Sequence, residues 1–153
     1  MPGLELRIPP PAVAAVFAAA MYGVARLAPQ GTLAVPYGSA LALALAALGV
    51  AVALAAVLTF RRQRTTVNPL DPGATTAIVT SGVYRWSRNP MYLGLLAVLA
   101  AWALYLGNAA AALLLPGFVA YLGRFQIGPE ERTLLARFGA PYAQYLARVR
   151  RWL

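Results

Sequence analysis

Residues 36–60 read PYGSALALALAALGVAVALAAVLTF, a run without a single charge. A helix needs ~20 consecutive apolar residues to cross the hydrocarbon core of a bilayer, so this run predicts a transmembrane span from Pro36 to Phe60. A second apolar run, from about Pro10 to Ala25, predicts another. Two further runs, Met91 to Leu106 and Ala109 to Leu122, are separated only by Gly107-Asn108. Gly-Asn is turn chemistry, and one continuous helix of about thirty residues would overshoot a ~30 Å core at ~1.5 Å per residue, so a tight helical hairpin is favoured. The whole chain agrees: 153 residues, 61% hydrophobic, mean hydropathy +0.65. It is too apolar for a soluble domain of this size. The expectation is an all-α integral membrane protein with about four transmembrane helices, a cytosolic loop and short cytosolic C-terminal helices. Residues 1–153 form a single membrane domain, whose first two spans (1–60) anchor it.

Net charge is +9, and every basic residue is an arginine. Arg61, Arg62, Arg64, Arg85 and Arg88 lie between spans two and three, and Arg124, Arg132, Arg137, Arg148, Arg150 and Arg151 follow span four. Positive charge favours the cytoplasmic side, which puts both segments and both termini there and leaves the Pro29 to Ala34 loop and the Gly107-Asn108 turn outside; Arg26 runs against the rule. Lipid headgroups account for this charge better than nucleic acid does. The first apolar run, preceded by Arg7 and Glu5 and lacking a distinctive cleavage site, reads as a retained helix rather than a signal peptide. Cysteine and histidine are absent, which excludes disulfides, thiol nucleophiles, zinc-finger-type metal sites and an imidazole base.

Polar residues gather in two places. After Arg61 to Arg64 comes a turn-rich loop, Thr65-Thr66-Val67-Asn68-Pro69 and Asp71-Pro72-Gly73, then a short β-like segment, Ala77-Ile78-Val79-Thr80. Ser81-Gly82 turns the chain into Tyr84-Arg85-Trp86-Ser87-Arg88-Asn89-Pro90-Met91-Tyr92, where Asn89 reads as an N-cap and Pro90 as the first residue of span three. The amides of that helix end, with Arg88 beside them, suit an anionic group. The second island begins at Arg124. Gly128-Pro129 is expected to break the helix near Ile127 and to start another with Glu130 and Glu131 in its first turn. Gly139 ends that helix and Pro141 begins a last one carrying Tyr142 and Tyr145, and this tail should lie along the membrane or pack over the loop. Taken singly, the arginines and aromatics read equally well as interfacial anchors, and the glutamates as partners of a helix dipole. Two glutamates out of four acidic residues beside a membrane boundary are harder to explain that way.

The two islands together resemble the membrane methyltransferase superfamily that includes isoprenylcysteine carboxyl methyltransferases and phospholipid methyltransferases. The similarity rests on Val79-Thr80-Ser81-Gly82-Val83-Tyr84 leading into Arg88-Asn89-Pro90-Met91-Tyr92-Leu93-Gly94, followed by Glu130-Glu131-Arg132-Thr133-Leu134-Leu135, Phe138-Gly139, Tyr142 and Tyr145. It extends from about Thr65 to Arg150. The resemblance implies that residues 61–153 bind S-adenosylmethionine on the cytosolic side of a prokaryotic inner or cell membrane. It implies backbone contacts from Ala77, Ile78 and Val79, a cavity border at Tyr84, and a lining of Arg88, Asn89, Pro90, Met91 and Tyr92. Glu130 would hold the ribose or amino group, and Arg124 and Glu131 are the candidate catalytic residues. The chemistry is consistent, because a carboxylate accepts from two ribose hydroxyls and aromatic faces suit a sulfonium. The acceptor implied is a lipid or other lipophilic molecule. The sequence departs from the isoprenylcysteine branch at Asn89, where that branch has histidine, and near Gln126, where its substrate-facing arginine falls; Arg124 is one helical step away. The alternatives are an NADPH-dependent membrane reductase of the sterol-reductase type, which resembles this superfamily in its C-terminal architecture, and a non-catalytic membrane protein with arginine-rich lipid-binding loops.

Overall fold

The computed structural model describes residues 5–32, 35–63 and 70–153. Arg64 and the Thr65 to Pro69 part of the turn-rich loop, and the Leu33-Ala34 end of the first loop, lie outside the described residues. The described residues form four long helices and one short one: α1 (Pro10–Leu27), α2 (Gly38–Arg62), α3 (Pro90–Leu106), α4 (Ala109–Phe138) and α5 (Ala140–Arg148). α1, α2 and α4 are each long and apolar enough to cross a membrane, while α3, at 17 residues, is short. The protein is an all-helical integral membrane protein. No strand occurs among the described residues, and the β-like segment at Ala77 to Thr80 forms none.

α3 is the centre of the bundle, with α1, α2 and α4 packed around it. It meets α2 at two glycines. A Cβ on Gly49 would fall 2.7 Å from the Gly94 carbonyl oxygen, and one on Gly94 would fall 2.5 Å from the Gly49 oxygen. Only hydrogen fits at either place, so the two backbones touch, as small residues allow within membranes. The outer face of α2 carries exposed Leu41, Leu43, Leu48, Leu54 and Leu58, which suits a lipid-facing surface.

The expected hairpin forms. Gly107 ends α3 in the left-handed region (φ 56°), and the Asn108 side chain then accepts from the Ala111 amide as an N-cap. Asn108 also donates to the Ala28 carbonyl at 2.9 Å, stapling the turn to the end of α1. The expected break at Gly128-Pro129 does not occur. α4 continues through it because Gly123–Ile127 opens into a π-helical turn, with the Gly128 amide donating to the Gly123 carbonyl. A proline inside an α-helix lacks an amide donor and clashes with the carbonyl four residues back; the wider turn absorbs that conflict without ending the helix. At ~1.5 Å per residue the 30 residues of α4 measure roughly 45 Å, so its C-terminal third projects beyond a ~30 Å core.

Candidate functional site

At the end of the bundle where α2 finishes and α3 begins, one cavity collects both polar islands. Its first wall is the 3-10 turn at Pro72 and the chain that follows it, with Thr75, Ala77, Ile78 and Val79. Its second is the turn and helix start, with Tyr84, Arg88, Asn89, Met91 and Tyr92; Phe60 closes the α2 side. The third is α4 and α5, which bring Glu130, Glu131, Leu134, Phe138, Tyr142 and Tyr145.

Each wall is held by specific bonds. Gly82 has φ +59°, and a Cβ there would meet the Thr59 hydroxyl oxygen at 3.0 Å, so the turn into Tyr84 lies directly on α2. The Tyr84 ring meets Phe60 edge-on at 5.1 Å between centroids. The Tyr145 hydroxyl donates to the Tyr84 carbonyl at 2.8 Å, tying α5 to the same turn. Burial pushes the Tyr145 hydroxyl up to about 12, against a smaller opposing effect of Arg88, so it stays a neutral donor. Burial, with Glu130 nearby, raises Tyr84 as well. The Arg137 guanidinium donates to the Gly73 carbonyl, which lays α4 over the 72–79 chain. The tail therefore packs over the loop.

Tyr92 and Glu130 form the polar floor. The Tyr92 hydroxyl donates to Glu130 Oε2 at 3.0 Å, joining the first turn of α3 to the projecting part of α4. Glu131 is engaged differently: Arg88 Nη2 reaches its Oε1 at 3.0 Å, and Arg151 pairs with both of its carboxylate oxygens. Arg88 Nη1 also donates to the carbonyls of Leu146 (2.7 Å) and Val149 (2.9 Å), at the end of α5. Arg88 Nε is a buried donor with no hydrogen-bond partner among the described residues.

Ala77, Ile78, Val79, Tyr84, Arg88, Asn89, Met91, Tyr92, Glu130 and Glu131 thus share one cavity, as the sequence reading expects. Two of the expected residues do not. Pro90 is buried at the first position of α3, outside the lining. Arg124 points away and pairs with Glu5 at 2.6 Å. Asn89 does precede α3, yet its side chain makes no cap. It donates instead to the Arg151 carbonyl at 2.9 Å, and its own amide donates to Ser87 Oγ. The C-terminal segment lies within reach, and the Arg88 amide donates to Arg150 O in the same seam. Phe60, Pro72, Thr75, Leu134, Phe138, Tyr142 and Tyr145 complete the lining beyond the expected set. Leu134 and Phe138 follow Glu130 at four-residue steps, a helical face that the sequence does display.

A family model described as phospholipid methyltransferase matches residues 37–140. The chain belongs to the phospholipid methyltransferase family. The match runs from the start of α2 to the start of α5 and takes in all the cavity walls except Tyr142 and Tyr145. Membership places the protein among membrane methyltransferases. A Haemophilus influenzae protein described as uncharacterized is 48% identical over 63 residues, which is 41% of this chain and 100% of that relative. No solved structure matches the chain.

Proposed function

We propose that the protein is an S-adenosylmethionine-dependent methyltransferase with a lipophilic acceptor. The observation that carries this reading is the facing pair Glu130 and Tyr92 at 3.0 Å inside a cavity that aromatic side chains, Arg88 and the chain of residues 75–79 also line. The donor set fits the cofactor. Glu130 offers a carboxylate to ribose hydroxyls or an ammonium, and the faces of Tyr84, Tyr92, Phe138 and Tyr142 suit a cation such as a sulfonium. The backbone of residues 75–79 offers peptide groups to a flat heterocycle. The unpartnered Arg88 Nε supports a nearby anionic acceptor atom, such as a carboxylate oxygen.

When bound, the cofactor supplies a methyl group already activated for in-line displacement, so the chain's work is positioning and water exclusion. Phe60, Ile78, Val79 and Phe138 supply the dry walls. Glu130 and Tyr92 orient, and the Glu130 carboxylate would take up a proton released by an amine acceptor, directly or relayed through the Tyr92 hydroxyl that donates to it. Glu131, neutralised by Arg88 and Arg151, holds the start of α3 and the C-terminal segment together rather than acting as a base. The arginine distribution supports a cytoplasmic cavity.

A groove of about 640 Å³ between α1 and α2, floored by α3, supports an acceptor with a hydrocarbon chain. Its lining is almost wholly apolar, including Ala14, Ala18, Ala42, Leu95 and Trp102. Leu95 lies one turn beyond Met91, which lines the cavity, so the groove and the cavity lie along one face of α3. Incubation with methyl-labelled cofactor and a lipid extract, followed by mass identification, tests the proposal. Label in an extracted lipid is the expected result. Label confined to water-soluble acceptors would remove the lipophilic part, and no transfer to either would remove the whole.

A further inference from the structure

We infer that Glu5 and Leu6 act as a latch on the π turn of α4 and thereby set the position of Glu130; Glu5 is a positioning residue for the site proposed above, on which this inference rests. The need for a latch arises at Pro129. In an α-helical register the amide four residues beyond the Phe125 carbonyl belongs to Pro129, which has no N–H to give. The Leu6 amide supplies a donor to that carbonyl at 3.0 Å from outside the helix. To reach it, Leu6 adopts φ 57°, a left-handed conformation that a branched side chain rarely holds without external ties.

Glu5 provides the ties. Its Oε1 meets Arg124 at 2.6 Å and its Oε2 meets Arg132 at 2.7 Å. These arginines are eight residues apart, and at about 100° per residue a regular α-helix would leave them roughly 80° out of line. A π turn accommodates one extra residue, which brings them to within about 20° of one another. One carboxylate therefore bridges both arginines only while the π turn is present. The same extra residue fixes the rotation of Glu130, six residues after Arg124 and two before Arg132, toward Tyr92. The N-terminal segment thus reports on, and stabilises, the helical register that builds the cavity floor, although neither Glu5 nor Leu6 lines it.

The test uses the full chain in lipid nanodiscs as wild type, Glu5→Gln and Glu5→Asp. Amide hydrogen exchange across residues 123–131 is read without ligand, and S-adenosylhomocysteine binding is read by calorimetry. Glu5→Gln should raise exchange across that segment and weaken binding about fivefold, the scale of an exposed ion-pair network, with the thermal midpoint nearly unchanged. Glu5→Asp, which keeps the charge, should recover most of the affinity. Unchanged exchange in Glu5→Gln overturns the latch, and raised exchange with unchanged affinity overturns the positioning role. If the wild type fails to bind S-adenosylhomocysteine, the proposed function falls, while exchange at the Glu130 and Glu131 amides still decides whether the latch sets their register.

Discussion

Glu130 and Tyr92 sit on different helices and meet through one hydrogen bond, so each can be altered without dismantling a helix. Replacing Glu130 by Gln keeps the shape and removes the charge. Hydrogen bonds to charged groups contribute about 1.5–3 kcal/mol, so the affinity for S-adenosylmethionine should fall about 10- to 100-fold by calorimetry. Tyr92→Phe removes only the donor and should cost a few-fold, near the ~1 kcal/mol of an ordinary hydrogen bond. Tyr145 gives a pH signature. Its folded value lies near 12, above the ordinary value of 10.0, so its contribution to stability is full below pH 10 and is lost as pH rises toward 12. Melting temperatures across that window should fall in the wild type and fall less in Tyr145→Phe. These residues were unequally legible in the sequence. Glu130 stood out because acidic residues are rare in so apolar a chain, whereas Arg88, Asn89 and Arg124 were visible as polar residues but not as to their partners. Their partners, Arg151, Leu146, Glu131 and Glu5 among them, lie more than forty residues away in the chain, and no local pattern encodes such a pairing.

Between α2 and α3 the contact depends on absent side chains. A methyl group on Gly94 would sit 2.5 Å from the Gly49 carbonyl oxygen, which is backbone and cannot turn aside. Gly94→Ala should therefore cost about 1–3 kcal/mol through overpacking, read as a lowered thermal midpoint and as weaker binding at Tyr92, half a turn away. The helices themselves were readable from hydropathy, and the turn between α3 and α4 from Gly107-Asn108. The continuity of α4 was not. Gly128-Pro129 is a strong helix breaker by local chemistry, and what overrides it is a π turn ahead of it together with an amide from the other end of the chain. That difference has a chemical consequence, because a broken helix would let Glu130 rotate independently of the span. Pro129→Ala returns the missing amide, so it should make the protein less sensitive to Glu5→Gln, measured as a smaller change in hydrogen exchange across residues 123–131.

Across the whole molecule, one bundle of apolar helices carries a polar cavity at one end and an apolar groove along α3. The family match and the apolar helices agree on a membrane methyltransferase matched over residues 37–140, and the C-terminal segment closes on the start of α3 through Asn89. Composition alone was enough to place the chain in a membrane. It could not separate a cavity lining from an interfacial belt, since arginine and tyrosine serve both; the convergence of distant walls on one cavity is what distinguishes them. A ligand that binds only the folded protein raises its stability by mass action, so S-adenosylmethionine at a hundredfold excess over its dissociation constant should add about 2.7 kcal/mol. The most direct test of the central claim is calorimetric titration of S-adenosylmethionine and of NADPH into the full chain in nanodiscs, wild type beside Glu130→Ala. The account predicts saturable binding of S-adenosylmethionine to the wild type, its loss in Glu130→Ala, and none of NADPH. Tight NADPH binding with no uptake of S-adenosylmethionine would contradict it.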